Sequence, residues 1–416
     1  MGQKIHRAFG PKVLTGLWVG ATLSASLVAG LASAQPGGLP PIPNTIHAAN
    51  GSNPSGSWKG KSITLPHSRY DLTLLSAAAA TGQTVPFWTA TVTSPVDTRS
   101  YSMSMVGSSP FAAKPTPTTI TYVPIVLRLH VSNGSTVAVL DPTKPACGDT
   151  VPIATRFFNS PLFQKVTYIS NGQNVTEGVS GAQLVSAFQR ANFWSYVKST
   201  QYGVNLTPST ATPIVVDANV TGALYTIGCK SGKTATLAAI DINTFDAVMQ
   251  SLTYKYATAS QLPTILTYNA VQTESGGCCI LGYHNAMMTP KGVQTYAVGA
   301  YIDSGVFSGV DDISTWSHEL AEWMDDPFVQ ASVPGGGNDD LTPSWGNVGQ
   351  VQGCQNNLEV GDPLSGTEFA ITGTGGFVYH YQDLAFHDWF YRTPSKGSGG
   401  RYSFAGTFTS SQSTVC

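Results

Sequence analysis

Hydrophobic residues recur along this chain with two periods, one typical of strands and one typical of helices. Alternating or continuous apolar runs predict strands over residues 118–130, 212–216, 264–271, 280–287 and 293–302. Apolar residues at helical spacing predict helices over residues 181–198 and 241–254. A last helix is predicted between about Ile313 and Asp326, directly after two predicted strands.

The last predicted helix has two chemically different faces. At about 100° per residue, one face is apolar and the opposite one carries acidic residues and a histidine. The apolar face comprises Ile313, Trp316, Leu320, Trp323 and Met324, and the polar face comprises His318, Glu322 and Asp325. Asp311 or Asp312 is expected to cap the start of this helix, and Asp326 before Pro327 is expected to end it.

This order of elements predicts an α+β fold with a mixed or antiparallel sheet packed on a few helices. Residues 1–34 read as a signal peptide. Residues 35–115 are rich in Pro, Gly and Ser with short strands, and residues 116–416 form the main domain.

The polar face of the last helix contains a His-Glu-x-x-Glu box, formed by His318, Glu319 and Glu322. Residues at i and i+4 leave a helix on the same side, so His318 and Glu322 can bind one cation. Glu319 points about a quarter-turn away, the position of the general base in zinc peptidases. The alternative is a polar face that is merely solvated.

A metal site on this helix needs at least one further protein ligand. The best candidates are Glu359 and Asp362, since Gly361 between them lets the backbone bend towards a metal. The alternative for Asp362 is a turn in which it bonds to its own backbone before Pro363.

Other polar residues compete for a place near this site. His284 and Tyr283, on a predicted strand close before the helix, are candidates for contacts with ligands or substrate, as are Asp325 and Asp326 at the helix end. His380 and His387 lie in an aromatic segment, where a histidine is more often structural.

The N-terminus and the cysteines predict export. Positively charged residues precede an uncharged stretch over residues 13–31, and Ala32-Ser33-Ala34 offers a cleavage site, typical of a secretory signal peptide. An uncleaved membrane anchor is the alternative. Six cysteines in an oxidising compartment predict disulfides. We expect Cys278 and Cys279 to have separate partners, one of them Cys354.

Composition narrows the class of partner. The 416 residues carry a formal net charge of −2 and no basic stripe, so the sequence predicts no nucleic-acid partner. It also predicts no membrane partner after signal cleavage. A Gly-Lys-Thr string at residues 232–234 lacks the spacing of a phosphate-binding loop, and no Gly-x-Ser-x-Gly elbow of a serine hydrolase occurs.

The His-Glu-x-x-Glu box on a helix after two strands resembles a variant of the zincin metallopeptidases. The segment 317–322, with Asp326-Pro327 and the later 358–362, is similar to a group of secreted proteins and, more distantly, to the phosphate-induced, exordium-like extracellular proteins. The zincin resemblance implies that His318 and Glu322 bind zinc, that Glu359 or Asp362 is the third ligand, and that Glu319 activates water. A glutamate in place of the second histidine makes the site harder, so calcium or manganese are alternatives.

These features predict a protein secreted to the extracellular space or the periplasm that acts as a zinc-dependent peptidase on extracellular proteins or peptides. Tyr283 or Tyr379 are candidates for oxyanion stabilisation, and the strand over residues 280–287 for pairing with an extended substrate. The alternative is a non-catalytic wall or matrix protein with a structural metal.

Overall fold

The computed structural model describes residues 72–274, 277–329, 340–347, 353–373 and 375–412, all within one compact unit. The predicted signal peptide and its predicted cleavage site lie outside the described residues. Among the described residues, no helix is both long and apolar enough to cross a membrane.

Helices and strands alternate irregularly along the described chain. The helices are α1 (Leu72–Ala80), α2 (Ile153–Phe158), α3 (Leu184–Asn192), α4 (Trp194–Val197), α5 (Ile242–Tyr256), α6 (Ser314–Asp325) and α7 (His387–Tyr391), with short 3-10 helices at Asp362–Leu364 and Ser398–Gly400. The strands are β1 (Phe87–Thr93), β2 (Ser100–Val106), β3 (Pro117–Ser132), β4 (Val137–Leu140), β5 (Ile169–Ser170), β6 (Gln173–Asn174), β7 (Gly203–Pro208), β8 (Ile214–Thr221), β9 (Ala223–Gly228), β10 (Thr234–Asp241), β11 (Leu262–Tyr268), β12 (Ala270–Glu274), β13 (Gly277–Ile280), β14 (Gly282–Thr289), β15 (Gly292–Phe307), β16 (Val310–Asp312), β17 (Trp345–Asn347), β18 (Gly353–Gln355), β19 (Glu368–Thr372) and β20 (Val378–Gln382).

An eight-stranded mixed sheet positions the candidate site. Its main path runs β14-β15-β11-β3-β4, with β15, β11 and β3 parallel and β14 antiparallel to β15. Strands β7 and β8 pair with successive parts of the long strand β3. The predicted mixed sheet with a few helices is therefore confirmed at this coarse level, whereas the zincin-like arrangement stays a prediction.

Alternate residues of the central strands face two separate cores, as the period of a strand requires. On β3, Tyr122 and Val126 belong to the core that also contains Trp316 of α6. Between them, Val123 and Ile125 belong to the core that contains the buried face of α5. Helices α5 and α6 therefore cover opposite faces of the sheet.

The described part of the segment 35–115, which begins at Leu72, contributes more to the main core than its composition suggests. Strands β1 and β2 form an antiparallel hairpin, and their residues Trp88, Tyr101, Met103 and Met105 are buried in the core shared with α6. This segment therefore packs with the residues that follow it.

Most predicted elements are present, but one predicted strand is divided. The segment 264–271 is split between β11 and β12 at Asn269, which has a φ of 44°. Its N–H donates to the carbonyl of Tyr301, and its side-chain amide donates to Asp303. These bonds stabilise the bend through which the chain leaves the eight-stranded sheet for the four-stranded sheet β13-β12-β10-β9.

The predicted disulfides are present, but the predicted pairing of Cys278 and Cys279 is wrong. Cys278 is bonded to Cys279, and Cys147 is bonded to Cys229. The expectation of separate partners assumed regular alternation along a strand. The pairing of β13 with β12 shifts register here, because Thr273 pairs with Cys278 while its neighbour Gln272 pairs with Ile280. Cys279 is the additional residue of this irregularity, so alternation fails at the point where the prediction needed it.

Candidate metal centre

Helix α6 supplies three residues of a buried polar cluster. All twelve residues of the helix are buried, including His318, Glu319 and Glu322. The alternative of a solvated polar face is therefore wrong. Asp326 ends the helix as predicted, but the predicted cap at its start is wrong, because no side chain accepts a capping hydrogen bond there. Asp312 instead accepts hydrogen bonds from the N–H groups of Ile313 and His380.

Two facing glycines let α6 approach the sheet closely. Gly282 on β14 and Gly299 on β15 are direct partners across the two strands. A Cβ on Gly282 would lie 2.8 Å from Cγ of Glu319, and a Cβ on Gly299 would lie 2.9 Å from the indole of Trp316. The Trp316 indole N–H also donates to the carbonyl of Gly299, at 3.0 Å. The glycine pair therefore sets Glu319 directly above β14.

The segment 358–364 brings two further carboxylates to the helix. The backbone N–H groups of Gly361 and Asp362 donate to Oε1 of Glu322, at 3.1 and 3.2 Å. Oδ1 of Asp362 lies 3.4 Å from Nε2 of His318. Gly361 lies against the His318 ring, since a Cβ there would be 2.6 Å from the ring. Asp362 begins a short 3-10 helix in the structure.

The orientation of the His318 ring is set by Gln382 on β20. The Gln382 side-chain N–H donates to the carbonyl of Gly361, so its Oε1 faces Nδ1 of His318 as an acceptor, at 3.0 Å. Nδ1 therefore carries the proton of the neutral ring. Nε2 faces Oε2 of Glu322 at 2.9 Å and Oδ1 of Asp362 at 3.4 Å. A lone pair directed at two carboxylates requires either a proton or a cation between them.

His284 has a similar arrangement on the other side of Glu322. Its Nε2 lies 3.0 Å from the carbonyl oxygen of Asp326, which can only accept, so Nε2 carries the proton of the neutral ring. Its Nδ1 lies 3.6 Å from Oε2 of Glu319 and 3.9 Å from Oε2 of Glu322. Oε1 of Glu359 lies 3.9 Å from Nε2. Strand β14 thus directs this ring into the cluster.

Burial and neighbouring charges perturb the pKa of every acid in the cluster. Four carboxylates and two imidazoles, each 3% to 9% exposed, lie together. The six residues of this cluster are His284, His318, Glu319, Glu322, Glu359 and Asp362. Among the described ion pairs, none joins any of the six to a lysine or arginine. Uncompensated buried negative charge is costly, so this cluster needs protons or cations.

The pKa shifts record this shortage of positive charge. Burial, followed by repulsion from Glu322, raises the pKa of Asp362 to about 7 and that of Glu359 well above its usual range. Burial also raises the pKa of Glu319. Burial opposes the charged form of His318, yet attraction to Glu322 raises the pKa of His318 well above its usual range. Without a cation, the site therefore retains protons that metal binding would displace.

The donor atoms fall into two overlapping groups that could hold a metal ion. One comprises His318, Glu319 and Glu322, and the other comprises His284, Glu322 and Glu359. In each group the donor atoms lie within 4.8 Å of one another. Imidazole and carboxylate are ligands for zinc, and the excess of carboxylates also suits manganese.

Three further residues that the sequence predicts at this site lie elsewhere in the structure. The hydroxyl of Tyr283 donates to Asp246 on α5, at 2.9 Å, on the opposite side of the sheet. Asp325 accepts a hydrogen bond from the side-chain amide of Gln189 on α3 and belongs to the packing between helices. The hydroxyl of Tyr379 donates to the carbonyl of Arg156. These corrections follow from strand alternation for Tyr283 and from the packing of α3 on α6 for Asp325.

The structure also locates Asp326 and the two histidines of the aromatic segment. Asp326 reaches the site through its carbonyl oxygen, which contacts His284. His380 pairs with Asp312, and His387 contacts Met103 and Asp388, away from the cluster. Gln382 is a residue that sequence reasoning missed, because it lies on a later strand with no motif around it.

A comparison of the chain with protein-family models, curated proteins and solved structures finds no significant match. The resemblance to zincins and to exordium-like proteins therefore stays a prediction that depends on the quoted motifs.

Proposed function

We propose that this protein is a secreted, metal-dependent hydrolase of peptide bonds, with zinc as the preferred ion. The observation that carries the proposal is the environment of His318. Its Nδ1 is fixed by Gln382, and its Nε2 is directed at Glu322 and Asp362 within a buried cluster. Polar groups that orient a histidine through its second nitrogen are typical of metal ligands.

In this proposal Asp362, rather than Glu359, is the third ligand beside His318 and Glu322. Its Oδ1 lies 3.4 Å from Nε2 of His318. Two ligands bound to one ion at about 2.1 Å in tetrahedral geometry lie about 3.4 Å apart. Glu359 lies instead beside His284. The side-chain amide of Asn347 donates to Oδ2 of Asp362 and so holds that carboxylate in place.

Glu319 is assigned the proton transfers. It lies one residue after His318 on α6, above Gly282 of β14, with its carboxylate 3.6 Å from Nδ1 of His284. Burial raises the pKa of Glu319, which brings a carboxylate closer to the range that suits a general base near neutral pH. A divalent ion bound here would supply Lewis acidity towards a carbonyl and a water.

Strand β14 offers a place for a peptide substrate. It ends the main path of the eight-stranded sheet, and among the described strands only β15 pairs with it. An extended peptide that added to this edge would run beside His284 and below Glu319. On this arrangement of strands we propose a peptide or protein substrate.

The experiment compares wild type with Glu319→Gln on a library of fluorogenic peptides after loading with zinc. We expect wild type to cleave and Glu319→Gln to lose at least about a hundredfold in kcat, with metal still bound. His380→Gln is the matched control, because His380 is also paired with a carboxylate but lies outside the cluster. Equal turnover in wild type and Glu319→Gln would refute the assigned role of Glu319.

A structural metal site is the second candidate, and one observation favours it. Every cluster residue is less than 10% exposed, so the protein itself supplies most of the surroundings. In that case zinc would raise the melting temperature, while wild type would cleave no peptide in the library.

A further inference from the structure

We infer that the cluster binds two divalent cations that share the carboxylate of Glu322. This inference rests on the proposed metal site and extends it, because the assigned ligands His318, Glu322 and Asp362 account for only half of the cluster. The other half comprises Glu319, which is assigned the proton transfers, and the two residues His284 and Glu359.

The two donor groups meet at one oxygen atom. Oε2 of Glu322 lies 2.9 Å from Nε2 of His318 and 3.9 Å from Nδ1 of His284. Oε1 of the same carboxylate is turned away, towards the N–H groups of Gly361 and Asp362. The backbone therefore fixes Glu322 so that a single oxygen faces both histidines, the position of a shared ligand in sites whose ions lie about 3.5–4 Å apart.

Each histidine has its own fixed tautomer. Gln382 accepts from Nδ1 of His318, and the carbonyl of Asp326 accepts from Nε2 of His284. The remaining nitrogen of each neutral ring therefore carries a lone pair directed at carboxylates. Nδ1 of His284 lies 3.6 Å from Oε2 of Glu319 and 3.9 Å from Oε2 of Glu322, so neither distance is that of a normal hydrogen bond. A single ion beside His318 would leave Nδ1 of His284 without a bound ion.

The charge of the cluster also favours two ions. When all four buried carboxylates are ionised they carry four negative charges, and neutral histidines add none. One divalent cation would leave two negative charges buried without a lysine or arginine partner among the described residues, whereas two divalent cations would neutralise the cluster. The second ion would be held by His284 and Glu359 together with Glu322.

The test counts ions in the full-length mature protein. The protein is stripped with a chelator, reloaded with zinc and examined by native mass spectrometry, with elemental analysis in parallel. We expect two zinc ions per chain in wild type. Glu359→Gln and His284→Gln should each retain one, and the control His380→Gln should retain two. Circular dichroism shows whether each variant is folded.

A second measurement uses wild type alone, so it does not depend on the folding of a variant. The protein loaded with manganese should give the electron paramagnetic resonance spectrum of a coupled pair. One ion per chain, with the six-line spectrum of isolated manganese, would overturn this inference and leave the one-metal proposal intact. No bound ion would overturn both.

Discussion

Replacing Gly361 by alanine should perturb the site only through the contact of the new methyl group with the His318 ring, and not through backbone strain. The backbone of Gly361, with φ −86° and ψ −38°, is one that alanine adopts without strain. The new Cβ would lie 2.6 Å from Cγ and Nδ1 of the His318 ring. Carbon atoms in contact prefer at least about 3.5 Å, so the ring or the loop must move by about 0.9 Å.

This displacement has two expected consequences. Overpacking of a buried contact costs about 1–3 kcal/mol in the free energy of unfolding. Movement of the ring also lengthens the hydrogen bond from Nδ1 of His318 to Gln382 and misplaces Nε2. Loss of such orienting contacts lowers metal affinity by about 10–100-fold.

The assay is competition for zinc with a chromophoric chelator, together with thermal unfolding with and without zinc. Gly346→Ala is the matched control, because no atom of the described residues other than its own chain neighbours lies within 4 Å of a Cβ placed there. The variant Gly361→Ala should bind zinc more weakly, and Gly346→Ala should match wild type. Wild-type affinity in Gly361→Ala would refute the proposed role of His318 as a ligand.

Three further predictions test other contacts. Gln382→Leu should weaken zinc binding by about 10–100-fold, measured by the same competition, because it removes the acceptor that orients His318. Tyr283→Phe should leave zinc content unchanged and lower the free energy of unfolding by about 1–2 kcal/mol in urea titrations, since its hydroxyl bonds to Asp246; loss of zinc instead would contradict this placement. Burial raises the pKa of Glu368 to about 7, so wild type should lose stability as the pH rises from about 4.5, where the unfolded state ionises, to about 7. Glu368→Gln should therefore gain about 2–3 kcal/mol over wild type between pH 4 and pH 8 in urea titrations, and a gain independent of pH would contradict the shift.

The sequence allowed the parts of this site that depend on local periodicity to be predicted. The spacing of His318 and Glu322 on a helix and the end of that helix at Asp326 follow from patterns within one segment, and the structure has both. The polar face of α6 is buried. Periodicity identifies a polar face but cannot show whether that face is buried or exposed. That face is covered by the segment 358–364 and by Gln382, about forty and sixty residues later in the chain.

The remaining errors concern contacts between distant segments. Tyr283 was predicted near the cluster because it adjoins His284, but neighbouring residues of a strand face opposite sides of the sheet. The pair Gly282 and Gly299 carries no sign in the sequence that it faces α6, since that depends on the register of β14 against β15. The choice between Glu359 and Asp362 as the third ligand likewise depends on the path of the segment 358–364, which the sequence does not show.

The most direct test of the central claim is an anomalous diffraction map from crystals of the mature protein grown with zinc, measured at the zinc absorption edge. The account predicts a strong peak between Nε2 of His318, Oε2 of Glu322 and Oδ1 of Asp362. A map without a peak in the cluster, from a folded protein with these side chains in place, would contradict it.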